Sequence, residues 1–118
     1  MNDFLNSLKN YGAEVETALY RCVGDEELYA ECVKLFVVDH HFAGLDAELK
    51  KRNYRAAFEH AHALKGVAAN LSLIPMLNSL CSIVEPLRAE NRVTDYQRLN
   101  SNIEAERQKL VAITDKLK

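Results

Sequence analysis

Turn signals are scarce in this chain. Its 118 residues hold four glycines and two prolines, spread out as Gly12, Gly24, Gly44, Gly66, Pro75 and Pro86. A many-stranded β fold needs a turn every few residues, so this chain is poorly suited to one. The long segments between these breakers place apolar residues three and four apart, the spacing of amphipathic helices.

Read in order, that spacing predicts a short first helix on Phe4, Leu5 and Leu8, ending near Tyr11-Gly12. A second helix carries Val15, Ala18, Leu19 and Cys22 and stops at Gly24. Asp25 can cap a long third helix running to about Arg52, with Glu26 and Glu27 at the positive end of its dipole. Its expected core stripe is Leu28, Cys32, Leu35, Val38, Phe42, Leu45 and Leu49. A second stripe of Tyr29, Val33, Phe36, Val37 and His40 allows two readings: packing beneath the N-terminal helices, or an exposed patch for a partner. Asn53 can cap the next helix, which reaches about Leu71. Ser72 can cap the following one, with Pro75 in its tolerant first turn.

Leu73, Met76, Leu77, Leu80, Ile83, Val84 and Leu87 form the core face of that helix, and Pro86 within the run predicts a kink or an early end. Thr94 and Gln97 have capping-box spacing for a last helix carrying Tyr96, Leu99, Ile103, Leu110, Ile113 and Leu117 to the C-terminus. Long helices and short connections predict one all-α domain over residues 1–118, an antiparallel up-down four-helix bundle preceded by short N-terminal helices.

The stretch from Glu59 to Leu71 concentrates the chemistry. Ala57, Ala61, Leu64, Ala68 and Leu71 share a small apolar face suited to a bundle core. Arg55, Phe58, Glu59, His62, Lys65, Gly66 and Ala69 fall on the opposite face. His62 is therefore directed outward, with Lys65 close enough to share an anion. Mid-helix glycine costs about 1 kcal/mol relative to alanine. Clearance for another molecule beside His62 is a use that offsets the cost at Gly66.

The run His62-Ala63-Leu64-Lys65-Gly66, followed by small residues and Leu71, resembles the signature of histidine phosphotransfer (HPt) domains. The broader likeness extends from about Asp25 to the C-terminus. Ser72 stands where the family usually has glycine, which bears on the following turn, and Val67 where it often has a smaller residue. The resemblance implies that Nε2 of His62 exchanges a phosphoryl group with an aspartate of a response-regulator receiver domain, while a hydrogen bond to Nδ1 holds the ring. The receiver would bring the Mg²⁺, and this chain would carry no cofactor of its own. A sensor histidine kinase is a further implied partner. Docking is expected on Phe58, Glu59 and Ala69 of the histidine helix and on Tyr29, Val33, Phe36 and Val37 of the helix before it.

The chemistry fits that implication. Ordinary imidazole has a pKa of about 6.5 and is a good nucleophile near neutral pH without an activating base. Lys65 can screen phosphoryl charge. No Gly-rich nucleotide loop or P-loop is present, so a carrier is expected instead of a kinase or other self-sufficient enzyme. Two rivals stand beside this reading. One is a bundle that docks on receiver or kinase domains without passing phosphate. The other is a metal-binding bundle, suggested by the Glu59-x-x-His62 spacing. It lacks a second such pair, and His40-His41 and His60-His62 are too close in sequence to converge on one side of a helix. No metal site is therefore expected.

Net charge of −2 gives no general attraction to nucleic acid. No apolar run approaches the roughly 20 residues that span a bilayer. Met1-Asn2-Asp3-Phe4 lacks the features of a signal peptide, and Cys22, Cys32 and Cys81 form no disulfide or metal pattern. A cytoplasmic monomer is the expectation.

Overall fold

The computed structural model describes residues 1–117. It is an all-α bundle of seven helices among those residues: α1 (Asn2–Tyr11), α2 (Val15–Arg21), α3 (Glu26–Val37), α4 (His40–Lys50), α5 (Tyr54–Asn70), α6 (Ile74–Arg88) and α7 (Tyr96–Thr114). The expected carriage of the last helix to the C-terminus is shortened to Thr114, and Lys118 lies outside the described residues.

Helix α5 packs between α4 and α6, and α7 lies against α6, α3 and α1. The small face of α5 makes the first of these packings close. Ala57, Ala61, Leu64 and Ala68 are all fully buried, as the 3.6-residue spacing requires. They share one core with Leu73, Met76, Leu80, Ile83, Val84 and Leu87 from the α6 side and with Leu99, Ile103 and Leu110 from α7.

Local signals explain most helix ends. Gly12 takes φ 117° and its N–H reaches the Leu8 and Lys9 carbonyls, closing α1. Asp25 accepts from the Leu28 amide at the start of α3, and Asn53 from the Ala56 amide at the start of α5. Two starts differ from expectation. Asp95, not Thr94, caps α7 by accepting from the Arg98 amide. Leu73, not Ser72, is the N-cap residue of α6 and provides no side-chain cap; Ser72 lies one residue earlier, at φ 54°. Helix α6 ends at Arg88, two residues beyond Pro86.

The largest correction concerns the expected helix over residues 25–52. It breaks at Val38-Asp39, where Asp39 turns out of helical geometry and its carboxylate accepts from the His41 amide at 2.8 Å. Phe36 and Phe42 show how far the break shifts the phase. Six residues apart in a continuous helix, they would point about 120° away from each other. Here their rings meet edge to face at 5.3 Å. Arg107 of α7 secures the break. Its guanidinium donates to the Val37 carbonyl at 2.8 Å, lies 5.8 Å from the Phe42 ring centre and pairs with Glu104. That pairing holds the Glu104 carboxyl below the ordinary carboxylate range.

The stripes of α3 are buried the other way round. Tyr29, Val33, Phe36 and Val37 lie in the core, as the packing reading of that stripe has it, and not on a surface where the docking reading needs them. Leu35 and Val38, expected in the core, are 61% and 73% exposed, and Leu28 is exposed as well. The buried stripe carries the two aromatic side chains of α3, Tyr29 and Phe36, on a helix packed against α7 and α2, and Tyr29 additionally donates to the Leu71 carbonyl at 2.9 Å.

Candidate functional site

The outward face of α5 holds the candidate residues. Glu59, His62 and Gly66 are exposed, while Phe58, Lys65 and Ala69 are half-buried. All six therefore present surface on one helix, as the sequence spacing places them. The four docking residues expected on α3 do not join them, being buried as described above.

His62 is held by an aromatic contact. Its ring lies nearly parallel to that of Phe58, with centroids 5.3 Å apart and an interplanar angle of 14°. Arg88, from the end of α6, sits 5.4 Å from the centre of the Phe58 ring, and its Nη1 lies 3.4 Å from Glu85. No side chain or backbone group hydrogen-bonds the His62 ring among the described residues, so the expected bond to Nδ1 is not found there and the Phe58 stack is the contact the ring makes. Arg88 carries no local sequence signal for this role, because it arrives from another helix through the α5–α6 packing.

Gly66 sits one turn beyond His62 with open space above it. Apart from its chain neighbours and the backbone of its own helix, a Cβ built there meets no atom within 4 Å. Packing against a neighbouring helix therefore does not account for this glycine. Lys65 and Glu59 have no ion-pair partner among the described residues, which leaves the Lys65 ammonium available to an incoming anion.

The end of α5 is fastened from α2. Nη1 of Arg21 reaches the Ala69 and Asn70 carbonyls at 3.1 and 3.0 Å and the Ser72 hydroxyl at 3.0 Å. Ser72 itself is buried with φ 54°, the left-handed conformation that glycine adopts freely and other residues at a cost of about 1–2 kcal/mol. The Arg21 contact, and the hydrogen bond from the Glu14 amide to the Ser72 carbonyl at 3.0 Å, offset part of that cost. The turn thus takes a glycine-like shape without glycine.

On the other side of α5, His60 is half-buried, and its Nδ1 is 2.8 Å from Nδ1 of His41 on α4. Considering histidines only as sequence neighbours missed this pair, which forms across two helices. Gly44 on α4 makes room for it, since a Cβ there would collide with the His60 ring.

Comparison of the chain with models of protein families, with curated proteins and with solved structures yields no match.

Proposed function

We propose that this protein is a phosphorelay intermediate in which His62 accepts a phosphoryl group from a receiver-domain aspartate and passes it to another. The observation that carries this reading is the outward His62 beside Lys65, with unoccupied space over Gly66 that nothing within the chain uses. A visiting acyl phosphate needs an accessible nucleophile, a nearby cation and room to approach in line. The three residues provide one each.

In the forward step Nε2 of His62 attacks the phosphorus of the aspartyl phosphate. The bond from phosphorus to the aspartate oxygen breaks, and the carboxylate leaves with the electron pair. The ring keeps its proton on Nδ1, so no base has to remove one. The reverse sequence returns the phosphoryl group to a second aspartate. Stacking on Phe58 limits the orientations of the ring, and Lys65 offsets developing phosphoryl charge. Phe58, Glu59 and Ala69 would meet the partner around the nucleophile. The Mg²⁺ of the reaction would come with the receiver, as the family resemblance implies, and a cytoplasmic carrier that meets receivers one at a time suits a monomer.

Incubation with a phosphorylated receiver tests the proposal. Wild-type protein is expected to acquire acid-labile phosphate, and His62→Gln, which leaves the core face untouched, to acquire none. Tight receiver binding without phosphate on either protein would identify a docking module instead.

A further inference from the structure

Three histidines away from the His62 face gather where α4 begins. Asp39 uses Oδ1 to accept the His41 amide, and Nδ1 of His40 stands 3.7 Å from the same oxygen. Adjacency in sequence argued against convergence of His40 and His41, but at the first turn of α4 their rings lie 4.1 Å apart between centroids. Asp39, His40 and His41 each bring one ligand atom into a group in which no two are more than 4.8 Å apart. Behind them, His60 holds Nδ1 of His41 at 2.8 Å.

We propose that Asp39, His40 and His41 bind a zinc-type divalent cation, with His60 positioning His41 from behind. The donor set decides the class of ion. Imidazole nitrogen with a single carboxylate suits zinc and its late first-row neighbours, whereas Mg²⁺ and Ca²⁺ take oxygen ligands. Tetrahedral ligands bonded at about 2.0–2.1 Å stand roughly 3.3 Å from one another. His40 can close on the other two by rotating, because its side chain is 82% exposed.

Asp39 keeps Oδ2 for a metal while Oδ1 still caps α4. The His60 contact engages Nδ1 of His41 and leaves Nε2 for the ion. A hydrogen bond to the non-ligating nitrogen is the usual way a metal-bound imidazole is oriented. The partial positive charge at the start of α4 opposes a cation, and the Asp39 carboxylate offsets it. Asp39 and His40 also line the groove between α4 and α7, so an ion has a path from solvent and a position left for water or another ligand. His60 and His62 point to different sides of α5, so this site is independent of the phosphorelay reading.

Calorimetric titration of metal-stripped protein with ZnCl₂ near neutral pH tests the site. One saturable event per chain is expected, weakening as the pH falls and the imidazoles protonate. Asp39→Asn combined with His40→Ala should abolish it, since asparagine still caps the helix and alanine replaces an exposed side chain. His60→Gln should weaken it about ten- to hundred-fold, and His62→Gln should leave it unchanged. Circular dichroism establishes that each variant is folded. Absence of binding, or binding that survives the double substitution, overturns the proposal; the latter would place the metal elsewhere, for example on the cysteines.

Discussion

The imidazole of His62 lies flat against the ring of Phe58, one turn earlier on the same face of α5, at 5.3 Å between centroids. Arg88 of α6 approaches the same phenylalanine. An exposed histidine ordinarily samples several rotamers, and this stack favours one of them. Aromatic pairs of this kind contribute about 0.5–1.5 kcal/mol beyond burial, equivalent to roughly two- to twelve-fold in rate if spent on orientation. Phe58→Ala should slow single-turnover transfer from a phosphorylated receiver by that factor, and Phe58→Tyr should restore it. An unchanged rate in Phe58→Ala would mean that the ring needs no such support.

Gly66 separates stability from function. With open space where its Cβ would stand, Gly66→Ala should stabilise the protein by about 1 kcal/mol in urea denaturation. The same change narrows the approach to His62 and should slow transfer, with Gly66→Leu slowing it further. A gain in stability without any loss of rate would contradict the clearance role.

These α5 features were legible in the sequence because a single apolar stripe fixes the phase of the helix, and every residue of that stripe is buried. The α3–α4 region was less legible. Two stripes of similar apolarity compete there, and a capping aspartate inside a periodic run, Asp39, marks the break only weakly. Choosing between Tyr29-Val33-Phe36 and Leu28-Leu35-Val38 requires knowing which helices cover them. Arg88 over Phe58 and His41 against His60 were out of reach for the same reason: both join residues on different helices, and local spacing carries no information about them.

Val23 offers a test of backbone strain away from the site. It is β-branched, 94% exposed and held at φ 54° in the turn between α2 and α3. Left-handed geometry costs such a residue about 1–2 kcal/mol, and asparagine tolerates it far better. Val23→Asn should therefore raise stability by about 1 kcal/mol and the Tm by a few degrees, with transfer unaffected. Thermal and urea denaturation measure this; a loss of stability would show that the valine makes an unrecognised favourable contact.

Tyr29 predicts the alkaline limit of the fold. Burial, with a smaller contribution from Cys22, pushes its phenol up to about 12. A phenol whose pKa is raised on folding contributes stability that is complete below its unfolded value of about 10 and is lost as pH rises toward 12. Tyr11 is raised as well, by partial burial and by the Glu106 carboxylate beside it, and acts in the same direction. Tyr29→Phe should flatten the decline in stability between about pH 10 and 12. It should also lower stability near neutrality by about 1 kcal/mol, through loss of the bond to the Leu71 carbonyl. Parallel pH profiles for variant and wild type would remove Tyr29 from the alkaline transition.

Whether this chain carries phosphate is decided by following one phosphoryl group. A receiver phosphorylated on its aspartate is mixed with the protein, the reaction is stopped at intervals, and the modified residue is mapped by mass spectrometry under neutral conditions. Phosphate should leave the receiver as it appears on His62, and a second, unphosphorylated receiver should then remove it. Phosphate mapped to any other residue, or a receiver that loses it at the same rate with and without this protein, would contradict the phosphorelay reading.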